Sequence, residues 1–323
     1  MALLGIDIGG TKIAFAVFDH NGDVHLREIT AIDNRTGTDV GGLITGGAAK
    51  LITEAENLGH RVKAIGLSVP GISRQAAGTV WAPTIPGWDD YPLLSEIKAI
   101  AGHTPVTIES DRACYISAEV WKGNAKGCRN AVFIAVGTGI GAGIMVNGEI
   151  LHGAHDIAGA TGWMALSKPF DSRYKNCGHF EYYASGEGIA RRTEELLHSV
   201  QEYAGMLHEM KHGKLTAEDV FSAWKHGDSI AEVIIRQAVE YWGMAAANFV
   251  SLLNPEKIIF GGGVFGPAAE LIPEIMAEAE KWAQPISIKQ VTFEPTALSG
   301  DAGVLGAGYL AMKKISGIKR QTI

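Results

Sequence analysis

The chain has 323 residues, 46% hydrophobic and 20% charged, which is globular material for two domains of about 100–200 residues each. Its formal net charge of -7 argues against a general nucleic-acid-binding surface. Three cysteines without framework spacing (Cys114, Cys128 and Cys177) fit a reducing compartment rather than a disulfide scaffold.

The chain opens on Leu3–Asp7, an expected strand, followed by the Gly9-Gly10 turn and a second strand at Ile13–Phe18. A turn at His20–Gly22 leads to a third strand, Val24–Ile29. Helical spacing runs over Val40–Leu58 and stops before Gly59. Val62–Val69 reads as a buried strand, Tyr91–Ala101 as a helix and Pro105–Glu109 as a strand. Asp111 then opens a helix that runs to Trp121, closed by Gly123.

After Gly127 the order restarts. Ala131–Val136 is a strand, GTGIGAG a glycine turn and Ile144–Val146 a strand; Asn147-Gly148 is a hairpin signal before Glu149–Leu151. Helices are expected at Glu187–Glu202 and Ile230–Leu253, then a strand at Lys257–Phe260 ending in three glycines. A helix near Ala268–Ala283, a strand near Ile286–Val291 and a helix from Asp301 to Lys313 complete the pattern. Two meander-plus-helix halves imply a lobe-scale duplication in an α/β architecture. The expected division is residues 1–118, completed by 301–323, against 119–300.

The sequence carries no basic leader before its first apolar run, and no stretch nears the ~20 apolar residues of a membrane span. A cytoplasmic protein without membrane or nucleic-acid partners is therefore expected. The basic cluster of Lys313, Lys314, Lys319 and Arg320 reads as a solvated tail.

Three glycine turns each follow an apolar strand: Asp7–Lys12, Gly137–Gly141 and Gly261–Gly263. Glycine lets backbone N–H groups approach and cradle phosphate. One such turn is weak evidence; three, one per expected wall of a cleft, point to a nucleotide. No GxxxxGK[ST] P-loop occurs, and the strand–turn–strand setting is not that of a dinucleotide fingerprint.

In order along the chain lie GIDIGGTK (Gly5–Lys12), SVPG (Ser68–Gly71), APTIPGW (Ala82–Trp88) and VGTGIGAGI (Val136–Ile144). FEYYASG (Phe180–Gly186), NPEKIIFGGGV (Asn254–Val264) and SGDAGVLGAG (Ser299–Gly308) follow. This series resembles the ROK family of repressors, open reading frames and sugar kinases. The resemblance implies the two-lobed actin-like ATPase (ribonuclease H-like) fold and an ATP- and Mg²⁺-dependent sugar kinase, often a homodimer. Nothing like a helix-turn-helix precedes Gly5, which argues against the repressor branch.

Carried over residue by residue, the resemblance makes Asp7 the acid that holds Mg²⁺ through water. An acid beside a phosphate cradle makes sense only if a cation neutralises the repulsion. Gly9, Gly10, Thr11 and Lys12 match the first phosphate loop, and Gly137, Thr138 and Gly139 the second. Gly262 and Gly263 match the turn against the adenosine. Asp111 matches the general base that takes the proton of the attacking hydroxyl. Its alternative role, helix N-cap, would lower its pKa and weaken it as a base. Arg112 beside it is a candidate neutraliser of a charged substrate, or a partner of a surface acid.

The sugar pocket departs from the family. The family's Asn-Asp pair is Ser110-Asp111 here, and its Asn after Ala-Pro is Thr84. Its GExGH segment reads Gly159-Ala160-Thr161-Gly162-Trp163, so the Glu and His are replaced by Ala160 and Trp163. The remaining sugar-contacting acid is Glu181. Lost partners for several hydroxyls predict poor glucose recognition and a modified sugar or smaller polyol as acceptor. Trp163 is placed either to stack on an apolar sugar face or to pack at the hinge. The family's zinc site pairs a His with a CxCGxxGC knuckle; here the His position is Trp163 and the cysteine positions are Ser172, Tyr174 and His179, so that His179 with nearby Cys177 leaves too few ligands for a tetrahedral site. A zinc-free loop packed by Phe170, Tyr174 and Phe180 is expected. The competing reading is a sugar sensor of the same fold without turnover.

Overall fold

The structure, a computed structural model, describes residues 2–200, 203–209, 214–298 and 300–315. Glu202, Ser299, Lys319 and Arg320, on which parts of the sequence reading fall, lie outside the described residues. The chain divides into two compact units. The first comprises Met1–Gly127, His152–Ala158 and Ala297–Ile323; the second comprises Cys128–Leu151 and Gly159–Thr296. The division at Gly127 falls nine residues past the position read from the sequence, and the 152–158 segment joins the first unit.

In the first unit, β1 (Ala2–Ile8), β2 (Lys12–Asp19) and β3 (Val24–Ala31) form an antiparallel meander. The helix α1 (Gly37–Asn57) leads to β4 (Val62–Val69), which pairs parallel to β1. A short hairpin, β5 (Ile72–Arg74) and β6 (Thr79–Trp81), precedes α2 (Leu93–Ala101). β7 (Val106–Ser110) then pairs parallel to β4, and α3 (Asp111–Lys122) follows at once. The sheet order is β3-β2-β1-β4-β7. Its central strands β1 and β4 are largely apolar and buried because both faces are covered, by α1 and α2 on one side and by α3 and the last helix on the other, whereas the edge strand β3 is half exposed.

The second unit repeats the plan. β8 (Ala131–Val136), β9 (Ile140–Val146) and β10 (Glu149–Ile150) form its meander. Helices α4 (His179–Ala184), α5 (Gly186–Ser199), α6 (Met206–Glu209), α7 (Ala217–Lys225) and α8 (Ser229–Leu253) come next. β11 (Lys257–Gly261), α9 (Ile272–Glu280) and β12 (Thr292–Pro295) complete the order β10-β9-β8-β11-β12. α7 starts on a Thr216–Asp219 capping box, and α8 on Asp228, whose carboxylate accepts the N–H groups of Ile230 and Ala231. The final helix, α10 (Ala302–Ile315), belongs to the first unit and packs on α3, β1 and β4.

Close approach of α10 to the sheet depends on glycine. A Cβ at Gly66 would stand 1.9 Å from the Ala307 carbonyl oxygen, a backbone atom that cannot step aside. Gly66→Ala should therefore destabilise the protein by about 1–3 kcal/mol or more, read as a lowered midpoint in denaturant unfolding. An unchanged midpoint would show that α10 is free to shift.

Three sequence expectations need correction. The strand expected at Ile286–Val291 is a 3₁₀ turn at Ser287–Lys289, and the strand lies later, at Thr292–Pro295. The Gln284 side chain accepts the N–H groups of Ile286 and Ser287 and so closes a turn in place of the expected strand. The single helix expected over Ala268–Ala283 is a 3₁₀ segment, Pro267–Leu271, followed by α9. Pro273 lacks an N–H to continue the ladder and is tolerated only in a first turn. β9 begins at Ile140 rather than Ile144, because Val136↔Ile140 pairing extends the hairpin to its glycine turn.

Candidate functional site

In the first unit, the parallel strands β1, β4 and β7 end on one edge of the sheet. Open α/β sheets bind ligands at the carboxyl ends of their strands. Asp7 stands near the end of β1, in register with Ser68 on β4, and Asp111 follows directly on β7. The Gly9 N–H donates to Lys12 O at 2.9 Å and closes the hairpin turn that leaves Gly10 and Thr11 exposed.

Asp111 is not the N-cap of α3. Ser110 fills that place, its hydroxyl accepting the Ala113 N–H at 3.3 Å. Asp111 sits one residue later, with Oδ1 accepting the Arg112 N–H at 2.8 Å. Its pKa is not lowered, as a cap's would be. Desolvation pushes it up to about 6, with the Arg112 charge opposing and the Asp7 charge reinforcing the rise. Burial also raises the pKa of Asp7, against the pull of Lys12. The two carboxylates thus repel within one desolvated site. At Gly303 on α10 a Cβ would fall 2.2 Å from Asp7 Oδ2, so the missing side chain leaves that carboxylate its room. This donor set fits a hard cation such as Mg²⁺, which takes oxygen ligands and keeps several waters.

Arg112 is nearly buried. It reaches Gly71 O at 3.4 Å, and its Nε stands 3.8 Å from Asp111 Oδ1, so its partner is the neighbouring acid and not a surface one. Thr84 is exposed and adjoins Gly10, whose Cβ would meet the Thr84 Cβ at 3.5 Å. One pair escaped the sequence reading. His152 Nε2 lies 3.0 Å from Glu109 Oε2, immediately before the Ser110-Asp111 step. No local pattern announces it, because the two residues are 43 positions apart.

In the second unit, Gly137 donates to Gly139 O at 3.0 Å across the β8–β9 turn. The Gly186 N–H in turn donates to Gly137 O at 2.8 Å, tying the start of α5 to this turn. Gly262 adopts φ +92°, and a Cβ there would stand 2.3 Å from Val136 O. These turns border a cavity of about 610 Å³ lined by Gly137, Thr138, Gly186, Glu187, Leu215 and Gly263 among others. Its size is within the usual range for small-molecule sites. Gly262 shapes the turn without lining the cavity. Gly186, the last residue of FEYYASG, and Leu215 join this cavity by tertiary placement, and Leu215 carries no signal in the sequence.

Gly139 faces elsewhere. A Cβ there would meet Glu181 Oε2 at 2.6 Å. The same oxygen accepts the Ile140 N–H at 2.7 Å, and burial raises the pKa of Glu181 against that bond. A Cβ at Gly162 would stand 2.9 Å from Glu181 Oε2, so the Ala160–Trp163 segment lies beside this acid. Trp163 ends a 3₁₀ turn and is 57% exposed, so it is not packed within its unit.

In the former knuckle, Tyr174 packs edge-on to His179 with centroids 4.8 Å apart. His179 is 5% exposed, burial lowers its pKa, and its Nε2 lies 3.1 Å from Ser167 Oγ. Among the described residues, no three His, Cys, Asp or Glu side chains gather as metal ligands. Phe180 is fully buried, as expected of a packing residue. Phe170 is 71% exposed and meets Tyr174 edge-on, so its expected packing role is corrected. Among the described residues, no helix is long and apolar enough to cross a membrane.

The ROK family matches residues 3–314. This chain belongs to the ROK family. It is 33% identical over 324 residues to a glucokinase of Halalkalibacterium halodurans, covering 98% of this chain and 97% of that one. An N-acetyl-D-glucosamine kinase of Citrobacter koseri is 26% identical, over 95% of this chain and 98% of its own. Among solved structures, the ROK hexokinase of Thermus thermophilus superposes with a TM-score of 0.82 at 27% identity, over 98% and 99% of the two chains. A ROK glucokinase of Streptomyces griseus, in complex with glucose and AMPPNP, gives 0.77 at 27% identity, over 97% and 100%. The fold is the α/β actin-like ATPase fold of ROK sugar kinases.

Proposed function

We propose that this chain, an ATP-dependent carbohydrate kinase, transfers phosphate to a hydroxyl of a sugar other than free glucose, with Asp111 as general base. The observation that carries this reading is Asp111 itself: a desolvated carboxylate at the carboxyl edge of the sheet, spared capping duty by Ser110 and poised at about pH 6. A base titrating near the working pH combines the right charge state with useful basicity.

In this reading the second unit's cavity takes the nucleoside, with Gly137, Thr138 and Gly263 on its wall and Gly139 and Gly262 shaping the turns behind them. Gly9, Gly10, Thr11 and Lys12 hold phosphate oxygens through backbone N–H groups and the Lys12 charge. Asp7 would hold Mg²⁺ through water, and the bound ion would neutralise charge developing on the phosphate oxygens. Ser110, Thr84, Arg112 and Glu181 orient the acceptor, and Asp111 removes its proton. Ala160 and Trp163 offer no equivalent of a Glu and His, and this supports an acceptor with fewer hydroxyls to satisfy than glucose.

Sugar-stimulated release of ADP from Mg-ATP across a broad sugar panel tests the proposal. ATP hydrolysis indifferent to sugar, or binding without turnover, would refute it. The pH profile sharpens the test. The ionised form of Asp111 is the active one, so kcat/KM should fall about tenfold per unit below pH 6. Removing the charge that opposes the rise, by Arg112→Ala, should move this acid limb to higher pH. A limb that stays in place would show that another group controls it.

A further inference from the structure

We propose that a cavity beside the 32–36 loop of the first unit is a subsite for a second sugar ring, making the natural acceptor a disaccharide or other glycoside. This rests on the reading that Thr84 and the Gly9–Lys12 turn serve the acceptor and the phosphate. The cavity measures about 500 Å³, and its lining includes Thr11, Asn34, Arg35, Thr84, Ile85 and Pro86. A site of this volume accommodates a ligand the size of a sugar ring.

Its walls are fixed. The Ile32 N–H donates to Thr11 O at 2.9 Å, and the Gly37 N–H donates to Pro86 O at 2.8 Å. The buried Trp88 adds an Nε1–H bond to Gly37 O at 3.0 Å. The 32–37 loop is thereby tied at both ends to the phosphate turn and to the Thr84 loop. Between those ties Asp33 and Asn34 hold φ of +48° and +61°. Two successive left-handed residues other than glycine cost free energy and persist only where the surroundings impose them. The imposed bend places two flat polar side chains, Asn34 and Arg35, on the cavity.

The chemistry of the lining favours a neutral polyhydroxyl ring. Arg35 spends Nη1 on Ile32 O at 3.1 Å and on Asp33 Oδ2 at 3.4 Å. Its Nε and Nη2 have no protein acceptor among the described residues. Asp33 offsets the charge of Arg35, so a free anion gains little there. Paired hydroxyls of a pyranose match the forked donors of Arg35 and the amide of Asn34. Ile85 and Pro86 offer apolar surface to the ring's C–H face.

The test compares glucose, N-acetylglucosamine, maltose, cellobiose and chitobiose by ADP release and by calorimetric binding. At least one disaccharide should exceed its own monosaccharide by about tenfold or more in kcat/KM. Arg35→Ala should raise KM for that disaccharide about tenfold while leaving the monosaccharide within about twofold. Asn34→Gly, which keeps the left-handed backbone, should do the same with an unchanged melting temperature. Equal effects on both sugars, or a protein that binds no disaccharide, would overturn the subsite whatever its turnover of monosaccharides. Disaccharide binding weakened by Arg35→Ala in a protein that phosphorylates no sugar would retain the subsite and discard the kinase reading.

Discussion

Asp111→Asn should lower kcat by about 10²–10⁴-fold, the usual contribution of a positioned general base. The substitution is nearly isosteric. It keeps an oxygen to accept the Arg112 N–H, so α3 and its Ser110 cap should survive. It also removes one of two repelling carboxylates, which favours folding. The loss should therefore appear in kcat, with nucleotide affinity within about twofold of the wild type. Thermal unfolding and nucleotide titration of the same preparation separate a lost base from a lost fold. A variant that keeps most of its turnover would remove Asp111 from the mechanism.

The second large effect concerns the acceptor. Glucose kcat/KM should lie about 10²-fold or more below that of the best sugar in a panel. A pocket that lacks a partner for a substrate hydroxyl rejects it by about 10²-fold, and this sets the size of the effect. Restoring the absent groups should reverse part of this. Ala160→Glu combined with Trp163→His should raise glucose kcat/KM by at least about tenfold, since a hydrogen bond to a charged group contributes about 1.5–3 kcal/mol. The Trp163 side chain is more than half exposed, so its replacement should cost little stability. Glucose turnover equal to that of every other sugar in the wild type would show that Glu181 and the Ser110-Asp111 pair suffice. The 33% identity to a glucokinase makes that comparison the natural control.

The sequence by itself determined the order of the elements and the chemistry at their junctions. Strand–turn–strand glycines, an Asp at the end of an apolar strand and a Ser-Asp step into a helix are local events, written in local steric and hydrogen-bond preferences. The strands at Val62–Val69 and Ala131–Val136 were legible for the same reason, being continuous apolar runs between turn residues. Legibility failed where a distant or side-chain contact decided the backbone. Gln284 turned an expected strand into a 3₁₀ turn, and Val136↔Ile140 pairing lengthened β9.

Tertiary structure alone decided the state of the site. The raised pKa of Asp111 comes from desolvation and from Asp7, a residue 104 positions away that sheet pairing brings near. The meeting of Glu109 with His152, the lining of the second unit's cavity by Leu215, and the tying of the 32–37 loop to Pro86 and Trp88 are equally remote in sequence. Local preference selects which residues can do chemistry. Burial and long-range pairing set how strongly they do it, because electrostatic and solvation energies depend on what surrounds a group and not on its neighbours along the chain.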